Sequence, residues 1–218
     1  MAVITRGEKQ DIHYSFYEDK EQIQDMAVKA YLRGVEIAGL SETIMITPMR
    51  RNEGITVDGF NKIIQSKLIK DKSVFVQGRK GMTPFYIGDK IIQNENDYSG
   101  KGVINGEIGY ITQIYEKYFS VQFPDKEVNY INEDYTQIDL AYCISGHKYQ
   151  GSQAKIVIIV MHISNYIMLS KQWLYTAITR GIDTDYIIAH PQAWAMAIQT
   201  DHAKRRTFLQ YIIKENKL

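Results

Sequence analysis

Cysteine is nearly absent from this 218-residue chain: Cys143 stands alone and can form no internal disulfide. The five His have no Cys or His neighbours at metal-ligand spacing, which excludes a structural zinc site of the usual kind. Four Pro and 15 Gly are too few for a fibrous or low-complexity chain. No run approaches the ~18 uninterrupted apolar residues of a membrane helix. The opening Thr5-Arg6-Gly7-Glu8-Lys9-Gln10 is polar where a secretory signal would be apolar, so the expected location is a reducing cytoplasm. Charge of one sign is lacking too: 26 Lys+Arg against 25 Asp+Glu leave a net +1, and any nucleic-acid binding must come from a local patch. The visible basic cluster, Lys204-Arg205-Arg206, lies beside Phe208, Leu209, Ile212 and Ile213 at helical spacing and reads as a solvated helix face. A phosphate-binding G-x-x-x-x-G-K-[ST] is missing, and no apolar strand ends in an Asp-Glu pair to hold Mg²⁺. The chain alone therefore lacks the means to hydrolyse a nucleoside triphosphate by P-loop chemistry.

What is present, 44% hydrophobic and 23% charged residues, describes a globular chain with one core or one domain carrying a smaller insert. Glu21 to Gly39 places Ile23, Met26, Ala27, Ala30 and Tyr31 on one helical face, with Gly39 as a stop. Thr43 to Thr47 is a short, nearly continuous apolar run of buried parallel-strand type, ended by Pro48. A helix from about Thr56 turns Val57, Phe60, Ile64 and Leu68 inward. Between Phe85 and Leu140 the period changes to two: Ile108, Tyr110, Thr112 and Ile114 share one strand face, Phe119, Val121 and Phe123 another, and Val128 and Tyr130 a third. Such a stretch is expected to be a small antiparallel barrel inserted into a host domain and removable without unfolding it. The βα pattern resumes with a strand over Ala141 to Ser145, a central strand over Ile156 to Met161, a helix over Lys171 to Arg180, a last strand at Asp185 to Ala189, and helices from Pro191. The expected fold is an open α/β parallel sheet interrupted by a β-rich insert.

Ligands of open parallel sheets gather beyond the carboxyl ends of the strands. Two of those ends carry cationic loops, Thr47-Pro48-Met49-Arg50-Arg51-Asn52 and Ser145-Gly146-His147-Lys148-Tyr149-Gln150-Gly151-Ser152-Gln153. Arg180 closes an apolar helix just before Gly181; its planar fork suits phosphate oxygens, and a helix-terminal Arg also simply complements the helix dipole.

Five segments occur in order: Thr47-Pro48-Met49-Arg50-Arg51, Gly88-Asp89-Lys90-Ile91-Ile92-Gln93, Asn105-Gly106-Glu107-Ile108-Gly109, His147-Lys148-Tyr149-Gln150-Gly151-Ser152 and Tyr175-Thr176-Ala177-Ile178-Thr179-Arg180-Gly181. Together they resemble the C-terminal half of RecD-like superfamily 1B DNA helicases, including conjugative relaxase-helicase relatives, over nearly the whole chain. The resemblance implies a RecA-like motor domain without its own P-loop, in two parts (1–84 and 141–218), interrupted by an SH3-like barrel (85–140). It implies catalytic roles for Arg180, as arginine finger, and Arg50. Nucleotide contacts would come from Arg51, Gln150, Gly151, Gln153 and Tyr175, and DNA contacts from Thr47, Ser145, His147, Lys148 and Tyr149. ATP and Mg²⁺ would bind only in the cleft with an N-terminal P-loop domain, and single-stranded DNA would be the partner. Gly146, Tyr149 and Gln153 depart from the family pattern, which has a small apolar or β-branched residue, a small residue and an acidic residue there. Tyr149 is open to two roles, stacking on a base or packing within the domain. The function expected is one motor half of an ATP-dependent 5′ to 3′ DNA helicase; the alternative is a stand-alone single-stranded nucleic-acid-binding module.

Overall fold

The computed structural model describes residues 3–6, 9–50, 55–77, 83–98, 100–146, 148–149 and 151–201. Along the chain run β1 (Val3–Arg6), β2 (Lys9–Phe16), α1 (Lys20–Ala38), β3 (Thr43–Ile46), α2 (Val57–Leu68), β4 (Phe75–Val76) and β5 (Phe85–Tyr86). There follow β6 (Lys90–Gln93), β7 (Ile108–Ile114), β8 (Tyr118–Gln122), β9 (Glu127–Ile131) and β10 (Ile138–Leu140). The remainder is β11 (Cys143–Ile144), β12 (Ala154–Met161), α3 (Lys171–Ile178), β13 (Gly181–Ala189) and α4 (Pro191–Gln199).

Six strands form one sheet in the order β1-β2-β13-β12-β3-β11, parallel throughout except for β1. Strand β12 lies inside it, and its alternation explains the continuous apolar run. Ile156, Ile158 and Val160 pack with Ile23, Ala27, Tyr31, Phe60 and Ile64 of α1 and α2. Val157, Ile159 and Met161 pack with Trp173, Leu174, Ala177 and Ala193 of α3 and α4. A strand covered by helices on both faces has no polar side to show. The helix starts are set by side-chain caps: Asp19 accepts from Gln22 N, Thr56 from Gly59 N and Ser170 from Trp173 N. Gly39 ends α1 at φ +87, a conformation that favours glycine.

Two expectations need correction, and one strand is additional. The strand expected over Ala141 to Ser145 is only Cys143–Ile144, because Ala141 and Tyr142 carry the chain from one sheet to the other. Ala141 N still bonds Lys90 O of the insert at 2.8 Å, while Tyr142 O already accepts from Met45 N of β3 at 3.0 Å. The helix expected to reach Arg180 stops at Ile178, with Thr179 as its cap. Strand β2, which pairs in parallel with β13, has no counterpart in the expected pattern, although Ile12 and Tyr14 alternate at period two and are buried.

The second sheet is antiparallel, β10-β6-β7-β8-β9. Phe85–Tyr86 does not join it and pairs instead with Phe75–Val76. Phe119, Val121, Phe123 and Tyr130 are buried as their period-two pattern predicts, and the rings of Phe119 and Tyr130 stack at 5.2 Å. On β7 the deeply buried residue is Ile111, and a register shift between Ile111 and Gln113 interrupts the face that begins with Ile108 and Tyr110. The apolar contacts of Ile111, Phe119, Val121 and Tyr130 run without a break into those of α1 and α2. The insert therefore shares its core with the host, which argues against its coming away cleanly.

Polar ties reinforce that junction. Lys90, fully buried, donates from Nζ to Leu40 O and Thr43 O at 2.8 and 2.9 Å, and burial pulls its pKa down to about 7. Its neighbour Asp89 accepts from Tyr142 Oη, Gln65 Nε2 and Tyr86 N. Burial nonetheless pushes the Asp89 carboxyl up to about 6. Asn61 of α2 bonds the Leu140 and Cys143 carbonyls and accepts from Cys143 N, clasping the point where the chain leaves the insert.

Candidate nucleotide and nucleic-acid interface

Strands β3 and β11 are parallel neighbours, so the loops that leave their carboxyl ends start side by side. The first loop brings Arg50 and the second Lys148, and both meet Asp139 of β10. Arg50 Nη2 and Lys148 Nζ donate to the same oxygen, Asp139 Oδ2, the lysine at 3.1 Å. Lys148 also donates to Asn94 Oδ1, at the end of β6. Two cations from the host domain are thus held by two residues of the insert.

Arg50, Lys148 and Asn94 line a groove of about 1110 Å³, with Asp139 beneath it. Glu42, Arg50, Lys148 and Gln153 form its host side; Asn94, Asn105 and Tyr110 belong to the insert side. Burial first, then the Glu42 charge, pushes the Tyr110 hydroxyl up to about 12, which keeps it a neutral donor. Gly106 carries the insert's turn close to the second loop: a Cβ there would lie 3.9 Å from Lys148 O.

Arg180 stands behind the same loop. Its Nη1 donates to Ser152 O at 3.1 Å, its Nε to Thr176 O at 3.0 Å and its Nη2 to Thr179 Oγ1 at 3.0 Å. All three acceptors are neutral oxygens, so these bonds orient the guanidinium without cancelling its charge. Gln153 is exposed, with a long contact of 3.4 Å from Nε2 to Thr179 O. Gly151 is exposed at φ +97, and Tyr175 is 72% exposed on α3.

Other expected site residues lie deeper. Tyr149 is 3% exposed and its hydroxyl donates to Gln153 O at 2.9 Å; of the two roles open to it, burial favours packing, although it also borders the groove. Thr47 is completely buried, its Oγ1 without a partner among the described residues, so no surface is open for the DNA contact expected of it. Ser145 is half-buried, and its carbonyl accepts from Lys148 N and Tyr149 N, turning the loop. A Cβ on Gly146 would come within 3.2 Å of Trp173 Nε1, a physical reason for glycine where the family has a larger residue. Arg51, His147 and Gln150, and the Lys204-Arg205-Arg206 cluster, lie outside the described residues. Among the described residues no three His, Cys, Asp or Glu side chains gather as a metal site, and no helix is long and apolar enough to cross a membrane.

Sequence reasoning missed Asp139 and Asn94. Asp139 had a signal: a carboxylate between Ile138 and Leu140 in a buried strand requires a charged or hydrogen-bonding partner.

An open, largely parallel sheet covered by helices on both faces, with cationic loops at adjacent strand ends, matches the α/β architecture of RecA-like helicase domains. Residues 140–183 match the UvrD-like helicase C-terminal domain family. The chain is 27% identical over 178 residues to the ATP-dependent RecD2 DNA helicase of Deinococcus radiodurans, covering 80% of this chain and 24% of that protein. It is 26% identical over 165 residues to the RecBCD enzyme subunit RecD of Haemophilus influenzae, covering 76% of this chain and 24% of that one. The Pif1 helicase from Bacteroides, solved in complex with ADP-AlF3 and ssDNA, shares the fold at a TM-score of 0.53 and 15% identity, over 91% of this chain and 50% of that one. The chain is thus similar in sequence to RecD-type helicases over most of its length, and residues 140–183 to a UvrD-like helicase C-terminal domain. It spans about a quarter of the length of these curated relatives.

Proposed function

We propose that this chain is the C-terminal motor half of an ATP-dependent 5′ to 3′ DNA helicase and is inactive as an ATPase alone. The observation that carries this reading is the meeting of Arg50 and Lys148, from the ends of adjacent parallel strands, in a groove that also holds Gln153 and is backed by Arg180. In this reading residues 1–84 and 141–218 form the RecA-like domain and 85–140 an SH3-like insert that helps grip single-stranded DNA. ATP is the substrate of a cleft completed by a P-loop domain, in cis or on another chain, which supplies the phosphate-binding lysine and the Mg²⁺ ligands. This chain's contribution is Arg180, whose fork would face charge developing on the transferring phosphoryl group, with Arg50 beside it. The Ser152 bond supports that role because it links the arginine to the loop that carries Lys148. A shift of the guanidinium on nucleotide binding would therefore be felt by the DNA-contacting loop. The 5′ to 3′ polarity rests on the resemblance to RecD-like helicases.

Two measurements test the reading. Fluorescence anisotropy with a labelled oligothymidylate should show salt-dependent binding by the purified chain, and ATP turnover should be absent with or without that DNA. Fusion to a P-loop half should restore DNA-stimulated turnover. Turnover by the chain alone, or failure to bind the oligonucleotide, would overturn it.

A further inference from the structure

Arg50 and Lys148 converge on one atom. Their nitrogens both contact Asp139 Oδ2, although the residues belong to different loops and the carboxylate belongs to the insert. Two cations directed at a single point from separate loops make an anion site, and the anion in it here is a side chain of the protein itself. The burial is graded: the side chains of Arg50 and Lys148 are 34% and 30% exposed, whereas that of Asp139 is 11% exposed. The cations face the groove and the carboxylate lies beneath them.

We propose that Asp139 is a resident stand-in for a phosphate: it holds the point on which Arg50 and Lys148 converge, and an incoming phosphate group takes the two cations from it. This rests on the groove being the phosphate-binding surface proposed above, and it adds a competitor built into that surface. The exchange moves no proton and breaks no covalent bond; it replaces one set of charge-assisted hydrogen bonds by another. One carboxylate against two cations leaves the trio itself one positive charge, and the carboxylates of Glu42 and Glu107, which also line the groove, add to the competition that weakens a phosphate's hold. Asn94, which accepts from Lys148 Nζ, keeps that side chain in place when the carboxylate partner is lost. Asp139 acts here through Arg50 and Lys148 and is a positioning residue. The shared chemistry of its rival is a phosphate group, carried by a DNA backbone or by a nucleotide.

The test is Asp139→Asn, which keeps the shape and one acceptor and removes the charge. Binding of a fluorescein-labelled oligothymidylate to both chains, and of a fluorescent ADP to both as fusions with a P-loop half, would be measured from low to moderate salt. For DNA the expected result is affinity raised about fivefold near 0.1 M salt, and a salt dependence steepened by about 0.7 in log–log slope for each added phosphate contact. A role confined to shaping the loops would give the opposite sign, since removing a scaffold weakens binding. A gain for the oligonucleotide alone assigns the site to the DNA backbone, and a gain for ADP alone assigns it to the nucleotide; either supports the proposal. Unchanged or weaker binding of both probes by a folded variant overturns it while leaving the helicase reading intact. If neither protein binds either probe, both readings fall. Asp139→Thr, neutral and suited to a strand, repeats the measurement should the asparagine variant not fold.

Discussion

Lys90 donates from its Nζ to the carbonyl oxygen of Thr43 at 2.9 Å, joining the first strand of the insert to the start of β3. With Leu40 O as second acceptor, the ammonium replaces its water by two main-chain carbonyls, one just after α1 and one at the start of β3.

Stability should therefore depend on pH in two windows of opposite sign. Lys90 titrates near 7 in the folded chain and at its ordinary 10.5 when unfolded, so the unfolded state binds more protons between those values and stability rises with pH there. Asp89 titrates near 6 folded and near 3.8 unfolded, so the folded state binds more protons in that lower range and stability falls as pH rises through it. Each effect is on the order of a few kcal/mol. Urea midpoints at about pH 7 and about pH 9.5 should differ in the native chain and much less in Lys90→Met.

Asn61→Ala should lower stability by about 3 kcal/mol, because it leaves the Leu140 and Cys143 carbonyls and the Cys143 amide without their partner in a buried place. Denaturant unfolding measures the loss. A change within experimental error would mean that the exit from the insert is held by other contacts.

Replacing residues 89–140 by a short Gly/Ser linker should give an insoluble or molten product, detected by loss of cooperative unfolding and by dye binding. The deletion takes away Lys90, Asp89 and the apolar surface that Ile111 and Tyr130 share with α1 and α2. A sharply unfolding, soluble remainder would show the host core to be self-sufficient.

Arg180→Ala should act in two places. In the isolated chain it removes three bonds to neutral acceptors and should cost roughly 1–3 kcal/mol of stability, with little change in oligonucleotide affinity. In a fusion with a P-loop half it should lower ATP turnover at least ~10²-fold, with Arg180→Lys also impaired because the fork is lost. Normal turnover combined with poor DNA binding would reverse the ligands assigned to Arg180 and Lys148.

The parts of the fold legible in sequence were those governed by a single period. The apolar run of β12 and the face of α1 are local signals, and both are where the pattern puts them. The sheet change at Ala141-Tyr142 was not legible, because it is decided by hydrogen bonds to Lys90 and Met45, distant in sequence. Strand β2 was readable from Ile12 and Tyr14, but its neighbours are polar and the run is short. For the site, the two cationic loops could be read and so could their common edge of the sheet. Their meeting on Asp139 could not, since that residue reaches them through the folding of the insert. Tyr149 illustrates a different difficulty: the sequence leaves its ring open to stacking or packing, and only burial decides between them.

The insert enters through β6 and leaves through β10, and those two strands are hydrogen-bonded to each other. Its attachment is thus a paired neck, braced on one side by Lys90 and on the other by Asn61. A tether of two free linkers would let a pull on the insert dissipate as a swing. A paired neck carries tension directly into the parallel sheet, so under the proposed function a strand gripped by the insert would pull on the host sheet itself.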